Sequence, residues 1–431
     1  MATEAYCKRM IEVMKKGILP ATGCTEPISV AFTAAVAAKH LDYPVERIEV
    51  RVSANLMKNG MGVTVPGTGK PGLYIAAAIG AIDGDPEGGL QVISHVHEGK
   101  SEEAAKMVSD GLVTVTVKTV PNPLYVEVVL FAQGHEAEAR VIDSHTNLIY
   151  IRKDDKVLFE VPQDGAGSVD ADTEFLQGTT LKQVLDFATT APIDDIRFMK
   201  EAYDLNWKLV EVGMSGQYGL GYGKALHDQI ESGLVGDDMC NEVIYSTAAG
   251  ADARMGGAPY PAMSNSGSGD QGICATVPVC VVARRLKVDE ETLIRALTLS
   301  HAVALYIHSF LPKLSALCCS LTACMGSAAG MGWLLSKDYD VIARALSSMT
   351  GDVTGMVCDG AANSCAMKAS SSAGSAFRSV VLAMAGHRVM GNEGLVADDV
   401  DESLRNIGEL ARGGMQETDR KILDIMIHKN Q

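Results

Sequence analysis

Five of the ten cysteines fall within the 48 residues from Cys318 to Cys365. Sulfur donors gathered in this way can hold a metal or an iron–sulfur group, or act as nucleophile or base. Cys318, Cys319 and Cys324 lie in the segment 313–324 (KLSALCCSLTAC), and Cys358 and Cys365 in 355–368 (GMVCDGAANSCAMK). No Cys-x-x-Cys pair occurs, which argues against a structural zinc site. An iron–sulfur cluster tolerates wider ligand separation and is compatible with these spacings, although they match no common ferredoxin pattern. The alternative is that these thiols serve as small buried hydrophobes.

Cys24, in the segment 21–27 (ATGCTEP), has a separate chemical case. It stands just before a helix start, where free backbone N–H groups and the helix dipole favour a thiolate, with Glu26 opposing the effect. An inert buried thiol is the plain alternative. The segment 264–272 (SNSGSGDQG) contains Gly267-x-Gly269-x-x-Gly272, but the residues before it, 257–263 (GAPYPAM), do not read as a strand, so the expected context of a dinucleotide site is missing. A glycine-rich turn entering an apolar helix still presents N–H groups to a small anion such as a carboxylate, unless it is only a structural loop. The glycines from Gly216 to Gly223, followed by Lys224, lack the phosphate-loop spacing and read as a turn. His301 and His308 share a helix face and read as buried, hydrogen-bonded histidines ahead of catalytic ones. The segment 55–61 (NLMKNGM) reads as a polar turn at a strand end, a kind of position that often serves substrates.

The elements that must position these groups follow from periodicity. Residues 3–16 predict a helix ending at Gly17, and a second helix runs from near Thr25, its cap, to about His40, with Pro27 in its first turn. Ile48, Val50 and Val52 then alternate with Glu49, Arg51 and Ser53, the pattern of a half-buried strand. Further strands are predicted at 113–118, 124–132, 137–143 and 148–153, with a helix near 102–109. Helical periodicity dominates beyond about 195: Asp289 caps a helix that stops before Pro312, and segments rich in small residues follow at 319–335 and 361–385, then a more amphipathic one at 415–428. The expected fold is α+β, with an N-terminal lobe built on an antiparallel sheet and a larger all-α C-terminal domain rich in small residues. The expected units are 1–40, carrying the TGCTEP motif, an α+β domain over 41–165, and a helical domain over 190–431.

A chain of 431 residues exceeds the roughly 250–300 at which a single core stops growing, so at least two units are expected. With 47% hydrophobic and 21% charged residues it has ample material for a packed interior. Its net charge of −16, with no clustered cations, opposes nucleic-acid binding. No secretory core follows the first helix, and the apolar stretch 301–335 is broken by His308, Pro312 and Lys313, so a cytoplasmic protein with reduced cysteines and no membrane partner is expected.

Taken together, these segments resemble the L-cysteine desulfidases, relatives of the bacterial iron–sulfur L-serine dehydratases. The resemblance spans essentially the whole chain. It rests on Thr22–Pro27, Lys58–Met61, Ser264–Gly267, Lys313–Cys318 and Cys358–Gly360 with Ser364–Ala366, five motifs in one order. It implies a [4Fe–4S] cluster held by Cys318, Cys358 and Cys365, with one iron open to substrate. Where such proteins often carry glycine after the first of these ligands, this chain has Cys319, an alternative donor. The resemblance places Cys24 as the catalytic base, where the serine dehydratases have histidine, and that difference favours a sulfur substrate. Lys58, Asn59, Asn265, Ser266 and Gly267 are implied to bind the substrate. The implied activity is cleavage of L-cysteine to hydrogen sulfide, ammonia and pyruvate by a homo-oligomer, independent of pyridoxal phosphate, for which no motif is recognisable. Serine dehydration on the same scaffold, a non-catalytic thiol- or cluster-based sensor, and a zinc-holding structural protein are the other readings.

Overall fold

A sheet with apolar residues turned to one core and a set of close-packed helices around another divide the described chain into two packed regions. The computed structural model describes residues 3–161 and 170–429. The expected lobe boundary near 165 lies outside the described residues. The strands are β1 (Pro20–Ala21), β2 (Arg47–Val52), β3 (Thr64–Val65), β4 (Lys70–Pro71), β5 (Val113–Val117), β6 (Tyr125–Ala132), β7 (His135–Ile142), β8 (Leu148–Lys153), β9 (Lys156–Glu160) and β10 (Ala262–Met263). The helices of the first half are α1 (Glu4–Gly17), α2 (Thr25–Ala38), α3 (Ala54–Gly60), α4 (Leu73–Asp83) and α5 (Lys100–Ser109). After them come α6 (Ala171–Gln177), α7 (Leu181–Thr190), α8 (Ile193–Ile196), α9 (Lys200–Gly213), α10 (Tyr222–Asp228), α11 (Met239–Met255) and α12 (Gly269–Leu286). The chain closes with α13 (Glu290–His308), α14 (Cys319–Ser336), α15 (Tyr339–Val353), α16 (Cys365–Met384), α17 (Val400–Glu409) and α18 (Gln416–His428).

The fold is α+β, and the main sheet has six strands in the order β5-β2-β6-β7-β8-β9. It is mixed, not purely antiparallel as expected, because β2 pairs β5 in parallel, with Ile48 opposite Val113. Helices α3, α4 and α5 intervene between those strands and provide the crossover that a parallel pair requires. Inward residues Ile48, Val50 and Val52 meet Val126, Val128 and Leu130, and α2 lies on β6 and β7 with α4 against it. α2 is buried almost all round, which its run of Ala, Ile, Val and Phe permits. At Gly80 a Cβ would fall 2.3 Å from Ala31 O, so α2 and α4 approach to backbone contact.

The helical region has its own continuous core, built largely from α7, α9 and α11 to α16. Small residues again allow close approach: a Cβ at Gly326 on α14 would stand 2.3 Å from Ser300 O on α13. Asp289 caps α13 by accepting from Thr292 N–H, as the sequence predicts. The two regions are laced together at both chain ends. α1 packs in the helical core and β1 pairs β10, whereas Leu423 of α18 is buried in the core of the sheet region. Among the described residues no helix is long and apolar enough to cross a membrane.

Candidate active site at the seam between sheet and helices

Gly23 takes φ +72°, and a Cβ there would lie 2.6 Å from Pro66, so glycine is required for the turn that delivers Cys24. Cys24 immediately precedes α2, as expected, and occupies the cap position expected for Thr25, which is instead the first helical residue. The Cys24 thiol donates to Glu26 Oε2 at 3.0 Å. The same carboxylate accepts from Thr25 Oγ1 at 3.2 Å and, on Oε1, from Asn59 Nδ2 at 3.2 Å. Burial first, then the adjacent carboxylate, push the thiol well above its ordinary value, with Arg254 acting the other way. The expected dipole-favoured thiolate is therefore not what the resting site holds. Desolvation and a carboxylate in contact outweigh the partial charge of a helix end.

The three predicted ligand cysteines come from separate places. Cys318 precedes α14, Cys358 lies in the loop after α15, and Cys365 opens α16. The first two segments are joined through their backbones: Cys318 N–H donates to Met356 O at 3.0 Å, Cys358 N–H donates to Ala316 O at 2.7 Å, and Leu317 bridges Val357. Cys365 packs beside Cys24, Val63, Met255 and Ala361. Electrostatically Cys365 feels both Cys318 and Cys358. Burial and Cys358 push Cys318 up to about 12. Cys319 sits 3.8 Å from Ser268 Oγ, and Cys324 belongs to the helical core. All ten cysteines are free.

Among the described residues no three His, Cys, Asp or Glu side chains close around a point that one metal ion could occupy. A lone tetrahedral zinc is thus not prefigured. Cys318, Cys358 and Cys365 are nonetheless three unbridged soft donors, and this donor chemistry fits an iron–sulfur group.

The segment 55–61, expected as a solvated turn, is the buried helix α3. Lys58 is 1% exposed. Its ammonium donates to Ser315 O at 3.2 Å and to Cys358 O at 3.1 Å, and pairs with Asp419 at 2.5 Å. None of its three hydrogens is left for a substrate. Lys58 clamps the two segments that carry Cys318 and Cys358. Asn59 faces Glu26 instead, with its Oδ1 unpartnered among the described residues.

Asn265, also expected to contact substrate, is saturated. Its amide group reaches His301 Nδ1 and His301 O, and its oxygen accepts from Ser266 Oγ and Gln271 Nε2. His301 is in turn held by Thr276, as a buried hydrogen-bonded histidine should be, whereas both ring nitrogens of His308 lack partners among the described residues. The 264–268 turn is thus an internally bonded scaffold. Gly267, at φ +80°, lies against His145, whose ring a Cβ would approach to 3.0 Å.

Three residues of the seam were not singled out from the sequence. Arg254 lies in the last turn of α11 and is 2% exposed; its Nη1 donates to Ala21 O at 2.6 Å, while Nε and Nη2 have no partner among the described residues. Asp270, in the first turn of α12, has Oδ1 unpartnered, and burial pushes its carboxyl up to about 7 against the pull of Arg254. His145, from the loop between β7 and β8, has an unpartnered Nε2, and burial lowers it although Glu26 opposes. One signal was available for Arg254: it is the sole cation in the small-residue segment 248–257 (AAGADARMGG).

The family model described as the serine dehydratase alpha chain matches residues 87–424. That span includes Arg254, Asp270 and the three clustered cysteines and leaves Cys24 and α3 outside it. Over nearly the full length, the chain is similar to a UPF0597 protein of Chromobacterium violaceum, at 51% identity over 419 residues, covering 97% of each chain. A UPF0597 protein of Actinobacillus pleuropneumoniae serotype 3 is 48% identical over 420 residues, again 97% of each. The UPF0597 protein YhaM of Escherichia coli O157:H7 is 47% identical over 424 residues, 98% of this chain and 97% of the relative.

Proposed function

The chain belongs to the serine dehydratase alpha chain family, and from that premise we propose that it is a lyase acting on L-cysteine, releasing hydrogen sulfide, ammonia and pyruvate without pyridoxal phosphate. The observation that carries the reading is the packing of Cys365 on the cluster that holds Cys24, with the segments of Cys318 and Cys358 joined through their backbones.

Cys318, Cys358 and Cys365 would hold a [4Fe–4S] cluster, with Lys58 fixing the backbone of the segments that carry the first two. When bound, a cluster on three protein thiolates supplies one incompletely ligated iron, a Lewis acid beside the substrate. The chain's own residues handle the proton. The Cys24 thiol already donates to Glu26 Oε2, so proton transfer along that bond frees the sulfur to take the substrate α-proton. Thr25 and Asn59 hold the carboxylate in place for that exchange. As the α-carbon–hydrogen bond breaks, its electron pair forms the Cα–Cβ double bond, and the Cβ–sulfur bond releases its pair to sulfur. The aminoacrylate then takes up water and yields pyruvate and ammonia.

Serine dehydration on the same scaffold is the second reading, favoured by the name of the matching family. Anaerobically reconstituted protein supplied with each amino acid separates the two. Sulfide and pyruvate from L-cysteine, faster than pyruvate from L-serine, are expected. The reverse order would replace the substrate, and no pyruvate from either would remove the lyase.

A further inference from the structure

This inference rests on the amino-acid lyase reading and names the part of the site that holds the substrate's charged end. Arg254 is a desolvated cation whose Nη1 alone is occupied among the described residues. The free nitrogens, Nε and Nη2, lie on the same edge of the planar guanidinium, where their N–H bonds run parallel. That edge receives a carboxylate through two parallel charge-assisted hydrogen bonds. Cys24, Glu26 and Asp270 all act on Arg254 through space, yet none of them closes a hydrogen bond or ion pair with it. An uncompensated buried charge is strongly unfavourable, so a site that retains one is complementary to an anion that arrives later.

The surroundings narrow that anion. A Cβ at position 269 would fall 2.3 Å from Nη2 and 2.5 Å from Nε, so Gly269 leaves the room that this edge occupies. The next residue, Asp270, is 6% exposed and offers an unpartnered Oδ1. A cationic fork and a free carboxylate oxygen thus stand together close to the Cys24 thiol. Two of the groups expected for this task are engaged elsewhere, Lys58 with Asp419 and backbone carbonyls, Asn265 with His301. We propose that Arg254 and Asp270 form the receptor for the zwitterionic head of an α-amino acid, with Nε and Nη2 binding its carboxylate and Asp270 Oδ1 binding its α-ammonium.

L-Alanine, which has no β-leaving group and cannot be eliminated, is the probe, with L-alaninamide as its analogue lacking the carboxylate. Isothermal titration of the full-length protein, with and without iron, should show L-alanine binding at least tenfold tighter than the amide. Arg254→Gln should weaken L-alanine binding about 100-fold, in line with the loss of two charge-assisted hydrogen bonds. Arg254→Lys, which keeps the charge and loses the fork, should fall between and serves if the glutamine variant does not fold. The melting temperature of ligand-free Arg254→Gln should hold or rise, since a merely structural arginine would lower it on removal. The proposal is overturned if folded Arg254→Gln or Arg254→Lys binds L-alanine as tightly as the parent, or if the parent does not distinguish acid from amide. Should L-alanine bind through Arg254 while no amino acid is turned over, the lyase reading fails and the receptor stands.

Discussion

Buried charge is handled in opposite ways on the sheet and at the seam. Across β2, β6, β7 and β8, Glu127 accepts from Arg51, Lys118 and the Tyr125 hydroxyl, and Glu138 from Arg140 and Arg152. The strand register sets these partners opposite one another, with Arg51 facing Glu127, Glu127 facing Arg140, and Glu138 facing Arg152. Every carboxylate there has a cation, and the cations keep contact with water. At the seam the reverse holds: Arg254, Asp270, Asn59 and His145 are withdrawn from water with polar atoms left open. Pairing of the first kind stabilises a fold without chemistry, while open groups of the second kind mark where a ligand completes the protein.

If that contrast is right, substitutions at the seam should remove function and leave the fold, and those on the sheet should do the converse. The largest effect is expected from Cys24→Ala. Turnover, measured as pyruvate release, should fall by roughly 10²–10⁴-fold, the usual contribution of a positioned base, with iron content and melting temperature unchanged. Normal turnover would remove Cys24 as the base. Next come the sulfur donors. Cys318→Ser and Cys358→Ala should each lose most of the bound iron and its brown absorbance, whereas Cys319→Ser, whose thiol is turned to Ser268, should keep both. Iron lost from the Cys319 variant and kept in the Cys318 variant would exchange their roles.

Much of this architecture is legible from local pattern. The alternation of Ile48, Val50 and Val52 with charged neighbours marks β2, and the Asp289 cap marks the start of α13. What escapes is non-local. Nothing within residues 47–52 or 113–117 encodes that these two strands run parallel, because that depends on the helices between them. The strand β9 is exposed along its whole length and so carries no burial pattern. Around the site, the cysteines announce themselves by residue type, but the Cys24 thiol could not be ranked from position alone. The helix end favours its anion, and only the fold shows how completely it is desolvated and how closely Glu26 approaches. Arg254 is the extreme case, since the lack of a partner is a property of three dimensions.

A smaller effect, on stability alone, is expected from Glu127→Gln. It removes the charge that Arg51 and Lys118 share and one of its two acceptor oxygens, and should lower stability by about 2–3 kcal/mol, less than for a fully dry pair because the cations are partly solvated. Chemical denaturation would measure this, and iron content should not change. A stable variant with a damaged site would reverse the contrast between the two regions.

The regions should also separate along the pH axis. Burial lowers His301 in the helical core from 6.5 to about 3. The unfolded chain binds that proton as pH falls through 6.5 and the folded chain does not, so the histidine withdraws stability from pH 6.5 down to about 3. Glu127 is held at about 2 against an ordinary 4.5: burial alone would raise it, and Lys118, Tyr125 and Arg51 together outweigh that. Its contribution is complete above 4.5 and is lost only as pH falls from there toward 2. Between pH 6.5 and 4.5, then, acid should weaken the protein through its buried histidines while the sheet's carboxylate remains neutral to the change. One such group contributes a slope of at most about 1.4 kcal/mol per pH unit. Unfolding free energies measured by urea titration at pH 6 and 5 should therefore show a slope smaller by up to this amount in His301→Asn, with the slope of Glu127→Gln unaltered over the same interval. A His301→Asn slope equal to the parent's would mean that the imidazole gains its proton without unfolding, and that the helical core admits charge as readily as the sheet does.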